Sequence, residues 1–254
     1  MANTTKKTQK KSTIVRLCGF VVCQLFCVVS LVYFAIVGDM PKAFMAAASV
    51  TFVFVPDIIQ RLFRFRASTP LYFAVLLYTV CPLLGFSYKF YYRFGWWDDV
   101  LHLFAGVVFA LFGAYMAKIL NGKYKCSVLL CAVFGFVFSV TIASLWEFVE
   151  YGMDTFFGTD MQKDVLLTSM RPSYLLGQIL GLPIDQMGML GAGDGVLVNG
   201  ALLDGYLDVG LIDTMHDLLV ETLGALIYAV AFLIGKGKYF TLNSHPISTV
   251  PNEP

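Results

Sequence analysis

The sequence predicts an all-α, polytopic transmembrane helical bundle of about six spans with a long structured loop, and three observations predict it. Hydrophobic residues make up 58% of the chain against 14% charged, and the mean hydropathy of +0.73 lies far outside the soluble range. Six windows approach the roughly 20 apolar residues that a hydrocarbon core about 30 Å thick requires of a helix. Alternating segments of about ten residues, the mark of an outer-membrane barrel, do not occur, so the backbone must satisfy its polar groups inside helices.

The chain opens with a basic cytoplasmic tail at 1–13 that runs into the first span at 14–37. The stretch KKTQKKSTIVR looks like a secretory n-region. The apolar run behind it exceeds the roughly 7–15 residues of an h-region, and no A-x-A site follows, so the segment is expected to stay as an anchor. Further spans are expected at 43–60, 69–88, 98–120 and 126–150, which closes a transmembrane block at 14–150. An extracytoplasmic loop at 151–210 leads to the sixth span at 211–234 and a cytoplasmic tail at 235–254. Within the loop, RPSYLLGQILGLPIDQMGMLGAGDGVLVNGALLDGYLDVG is too rich in Gly, Asp and Pro for a comfortable span, and VLV-NG-ALL reads as a hairpin turning at Asn199-Gly200. Residues 173–180 suit a short interfacial helix. Small residues at 43–49 and 106–113 suit close helix packing.

Orientation follows from the basic residues. With the amino terminus in the cytoplasm, thirteen of the 18 Lys and Arg fall on the inner side, as the positive-inside rule asks. The expected location is the cytoplasmic (inner) membrane with both termini cytoplasmic. Fourteen of the 17 acids fall in outer loops or at outer helix ends, so the net charge of +1 hides a face that attracts cations. Partners expected from this are the lipid bilayer and a lipid or envelope precursor, with no nucleic acid. The six cysteines lie in or at the ends of apolar spans and read as small buried hydrophobes.

Three helix ends carry polar residues at helical spacing. Asp98 and Asp99 share a face with His102 at the start of the fourth span. Glu147, Glu150 and Asp154 form one stripe at the end of the fifth. Asp213, His216 and Asp217 do so at the start of the sixth, with Glu221 a further turn deeper. Asp98 and Asp213 also suit ordinary N-caps. Glu147 and Glu150 resist that explanation, because they lie near a helix C-terminus, where the dipole disfavours an anion, and follow the apolar run FGFVFSVTIASLW. The nearest cations in the chain are Lys89 and Arg93. Charge compensation is therefore open between protonation, charged histidine and a divalent metal ion held by Asp98, His102, Glu147, Glu150, Asp213 and Asp217.

WWDDVLHLFAG, ASLWEFVEYGMDTFFGTDMQKD and GLIDTMHDLLVETLGALI together resemble the YjdF-like family of bacterial inner-membrane proteins, over roughly the second to sixth spans. The resemblance carries that family's pattern onto Asp98, His102, Glu147, Glu150, Gly158, Thr159, Asp160, Gln162, Asp213, Asp217 and Gly224. His216 stands where that family is expected to vary, often to Lys or Trp. A looser likeness connects the same progression to VanZ-like membrane proteins. Neither brings a known reaction.

Three functions fit the pattern. An enzyme would use His102, Asp98, Glu147 and Glu150 as catalytic groups, with Asp99, Asp154, Asp160, Gln162, His216 and Glu221 in support. A non-catalytic scaffold would use the polar ends to lock helices together. A cation- or proton-linked transporter would need a polar path past Glu221, and the inner half offers little beyond Asp57, which suits an i,i+4 surface pair with Arg61.

Overall fold

Proline decides which of the predicted spans run straight. The computed structural model describes residues 2–121, 126–159, 161–163, 165–167, 196–198, 201–203, 206–208 and 210–237. The first span lies in α1 (Ala2–Val37). The second is split into α2 (Met40–Phe52) and α3 (Val55–Leu62), and the third into α4 (Thr69–Tyr78) and α5 (Cys81–Ser87). Pro56 and Pro82 stand in the opening turn of each second half, where a missing N–H and a ring clash interrupt the ladder. The Thr79 hydroxyl donates to the Leu76 carbonyl at 2.7 Å, which satisfies an acceptor beside the second break.

After the single turn α6 (Phe90–Arg93) come three unbroken helices, α7 (Trp97–Leu120), α8 (Val128–Phe157) and α9 (Leu211–Ile234). Among the described residues six helical segments are long and apolar enough to cross a membrane. The chain is thus a multi-pass, all-α membrane protein whose solvent is a lipid bilayer.

One boundary differs from expectation. Helix α8 continues past Glu150 to Phe157, into the segment read as loop, and closes at Gly158 with φ 62°. Its 30 residues measure about 45 Å at 1.5 Å per residue, longer than the hydrocarbon core. The following segment contains two small antiparallel ribbons: β1 (Val165–Leu167) pairs with β4 (Tyr206–Asp208), and β2 (Val196–Val198) with β3 (Ala201–Leu203). Val198 stands opposite Ala201, which leaves a two-residue connection as the Asn-Gly dipeptide predicts. The expected helix at 173–180 lies outside the described residues.

The helices form two groups. One consists of α7, α8 and α9; the other is built from α1, α2, α4 and α5. Lipid tails are as apolar as leucine, so close backbone approach through small residues replaces the hydrophobic effect as the cause of association. A Cβ added to Gly106 would stand 2.1 Å from the Glu221 carbonyl oxygen, and one added to Gly224 would stand 2.2 Å from that of Leu103. Gly135 of α8 lies as close to α7, with its hypothetical Cβ 2.4 Å from the Ala110 carbonyl oxygen. In the other group, Ala43, Ala46 and Ser49 form the buried face of α2.

The two groups touch near both ends of the spans. At one end Phe63 meets Phe112 with ring centroids 5.0 Å apart, and the Tyr115 hydroxyl donates to the Phe63 carbonyl at 3.2 Å. Toward the other, Tyr78 lies beside Phe104 at 5.4 Å. Asp57 does not form the expected pair with Arg61; it accepts from the Tyr72 hydroxyl at 2.9 Å, with the Arg16 guanidinium 4.9 Å from the centre of that ring. The cysteines are free, and Cys18 departs from the buried expectation by being exposed on α1.

The glycine contact generates a prediction. Gly224→Ala should destabilise the detergent-purified protein by about 1–3 kcal/mol through overpacking, read as a lower unfolding temperature. A neutral substitution would mean that α7 and α9 are not in backbone contact.

Candidate functional site

The site is assembled where α7 and α9 begin and α8 ends. The rings of Phe90, Phe94, Trp96 and Trp97 pack together at the entry to α7, with the Phe90 and Trp97 centroids 5.0 Å apart. Helix α9 begins after Gly210 at φ 86°, where any Cβ would stand 2.5 Å from the Cβ of Gln162. The N-caps are therefore Trp96 and Gly210, neither with a side-chain cap. Asp98 and Asp213 sit inside the first turns and are free to do something other than cap.

What they do is bind Lys163. Its ammonium bonds to Asp98 and, at 3.1 Å, to Asp213 Oδ1, while its backbone N–H donates to Asp213 Oδ2 at 3.1 Å. Burial alone would push the Lys163 ammonium down, but the facing charges of Asp98 and Asp213 carry it well above the ordinary lysine value. Neither Lys89 nor Arg93 fills this place. Sequence reasoning missed Lys163 because it comes from a loop without periodicity, and the only signal was its position directly after the GTD-x-Q motif.

Asp154 explains how the loop reaches that position. It was expected to share a stripe with Glu147 and Glu150; instead its carboxylate accepts from the Thr159 hydroxyl at 2.6 Å and from the Met161 and Gln162 amides at 2.7 and 2.8 Å. The chain that reverses at Gly158 is thereby fastened back onto α8. Gln162 then donates to the Thr214 hydroxyl at 2.6 Å, which ties the loop to α9. Asp160 lies outside the described residues.

Beneath the Lys163 pair lies a buried cluster. His102 Nε2 is 3.3 Å from Asp217 Oδ2 and 3.7 Å from Asp98 Oδ1, and its Nδ1 is 3.6 Å from Glu221 Oε2. His102, Glu147, Glu150, Asp217 and Glu221 are all buried. Trp146 donates its indole N–H to Glu150 Oε1 at 2.7 Å from the partly exposed side of α8, as an interfacial tryptophan does. Glu147 Oε2, Glu150 Oε2 and Glu221 Oε1 are enclosed and have no hydrogen-bond partner.

Two sets of donors converge within the cluster. Asp98, His102 and Asp217 bring one atom each within 4.8 Å of one another, and so do Glu147, Glu150 and Asp217. Ligand bonds of about 2.0–2.6 Å put opposite donors of a divalent cation about 4–5 Å apart, so both sets have the right scale. Asp213 is engaged by Lys163 and lies outside both sets. His216 and Asp99 are also separate, forming a solvent-facing pair at 3.0 Å.

Lys163→Met should cost about 1–3 kcal/mol of stability by stranding Asp98 and Asp213, and adding Asp98→Asn should recover part of it. Because the folded lysine value is raised, this contribution is present in full below the unfolded value of about 10.4 and fades as pH climbs through the higher folded value. Thermal unfolding of the three proteins between neutral and alkaline pH checks both signs.

No curated protein and no solved structure matches the chain. A family model described as Predicted membrane protein (DUF2238) matches residues 19–237, which takes in most of the first span, all of the other five and every residue of the cluster. The chain belongs to this family of membrane proteins.

Proposed function

We propose that this chain is a metal-dependent membrane enzyme whose carboxylate and histidine cluster acts on a lipid or envelope precursor. One observation carries this reading: two three-donor sets share Asp217, and Glu147 and Glu150 of the second set each have an enclosed oxygen without a hydrogen-bond partner, as does Glu221 beside His102. A buried acceptor left empty costs about 1–3 kcal/mol, more when charged, and a cation held by these sets would satisfy the acceptors of Glu147 and Glu150.

Asp98, His102 and Asp217 would hold one divalent ion, and Glu147, Glu150 and Asp217 a second or an alternative position. Such an ion supplies Lewis-acid polarisation of a phosphoryl or acyl oxygen and lowers the pKa of bound water. The chain's own groups do the rest. His102 would meet the cation from its Nε2 side, which Asp98 and Asp217 share, while Glu221 faces Nδ1 and fixes the tautomer and plane of the ring. Trp146 occupies one oxygen of Glu150 and leaves the other for the cation. Lys163 offsets part of the charge of Asp98 and Asp213 at the mouth, which lessens the repulsion that an anionic headgroup would meet there.

The distribution of Lys and Arg supports an extracytoplasmic position for this site in the cytoplasmic membrane, with both termini in the cytoplasm. The likeness to YjdF-like proteins supports a bacterial inner membrane. A transporter is disfavoured because the space beyond His102 is walled by hydrocarbon rather than by polar groups.

Elemental analysis of the detergent-purified chain tests the proposal. Wild type should carry about one or two divalent ions per chain. Asp99→Asn, outside the cluster, should keep them, whereas Asp217→Asn should lower the content about tenfold or more. Metal-free wild-type protein would overturn the proposal and leave the cluster as a proton-bearing lock between helices.

A further inference from the structure

We infer that the cavity between the two helix groups is a slot for one hydrocarbon tail of a bilayer lipid, running from the buried cluster toward the opposite end of the spans. This deepens the proposed enzymatic reading and rests on it for the identity of the bound lipid as substrate. The cavity measures about 320 Å³, inside the range of about 300–1,000 Å³ typical of small-molecule sites.

Its walls are almost wholly apolar. Of the polar residues around it, Gln60 is consumed by the Ala67 amide and the Pro56 carbonyl, Tyr72 by Asp57, and Thr79 by the Leu76 carbonyl. The rest of the lining is hydrocarbon or aromatic carbon apart from Tyr78. A space so lined does not hold water stably. It lies within the membrane-spanning segments, and the partly exposed side chains of Val75, Val108 and Ile142 leave it in reach of the surrounding lipid.

The slot leads to the site. On α7 the wall runs from Phe104 to Phe112, about 12 Å, and its first residues lie within one turn of His102. On α8 it ends at Ile142, about 7.5 Å of helix before Glu147. At that end stands Tyr78, which is within the electrostatic reach of Glu221, Asp98 and Glu150. A tail seated here would hold its headgroup at the cluster, in the way that binding remote from the reacting atoms fixes their position.

The test uses the full chain reconstituted in phosphatidylglycerol and phosphatidylcholine vesicles that contain a phospholipid with a photoreactive diazirine in its tail. Adducts should concentrate on Val75 and Val108 over Val22 and Val29, which are exposed on α1. Val108→Trp, which fills the slot, should lower cavity labelling about tenfold, equivalent to about 1.4 kcal/mol. Equal labelling of α1 and the cavity in wild type would overturn the slot, and that comparison needs no variant to fold. Metal content read on the same samples separates the two proposals. Metal-bearing protein with even labelling loses only the slot; metal-free protein with concentrated labelling keeps the slot and loses the enzyme.

Discussion

Everything at the site end of this protein follows from the difficulty of keeping carboxylates charged inside a low-dielectric bundle. Asp98, Glu147, Glu150, Asp213, Asp217 and Glu221 gather there, with only Lys163 and His102 to answer them among the described residues. A single ionised aspartate at the centre of a membrane-spanning helix costs about 2.5–3.5 kcal/mol even on the lenient insertion scale. The cluster is affordable only if the acids share counter-charge, and sharing requires helices close enough for their side chains to meet. Gly106 and Gly224 provide that closeness, bringing the backbones of α7 and α9 into contact one turn from His102 and Glu221. In soluble proteins the same glycines would be a weakness in a helix; here they let a polar core form where hydrophobic attraction is absent.

The charge is divided into two layers. Near the helix ends, Lys163 takes up Asp98 and Asp213. It arrives there because Asp154 gathers the loop amides after α8 and Gln162 secures the loop to α9. Below, Glu147, Glu150, Asp217 and Glu221 have one imidazole between them, and three of their oxygens are left over. Apart from Asp98 Oδ1, which faces His102, the upper layer finds its partners within the chain, whereas three oxygens of the lower layer have none among the described residues. That imbalance is why the proposed cation belongs to the lower layer, next to the apolar cavity.

The six spans were legible in the sequence because a bilayer imposes length and apolarity directly. The i,i+3 and i,i+4 spacing also identified Asp98, His102, Glu147, Glu150, Asp217 and Glu221, since helix geometry fixes which side chains share a face. What spacing cannot convey is where a helix stops and which way the chain turns afterwards. Asp154 fitted the stripe of Glu147 and Glu150, yet the reversal at Gly158 delivers backbone amides to it. Asp98 and Asp213 looked like caps, but α7 and α9 start early enough to place them inside the first turn. Lys163 carried no periodic signal, because a loop residue reaches its partners through tertiary folding alone. The slot between the helix groups was equally invisible, being a property of how two bundles fail to close on each other.

The central claim is that the lower carboxylates stay ionised by sharing a divalent cation instead of taking up protons. Infrared difference spectroscopy of the purified protein measures this directly, through the carbonyl stretch that only protonated carboxylic acids show. The account predicts that metal-loaded protein lacks this band and that chelation makes it appear, with Glu147→Gln and Glu150→Gln each removing part of the chelation-induced signal. A band of equal strength before and after chelation would contradict it.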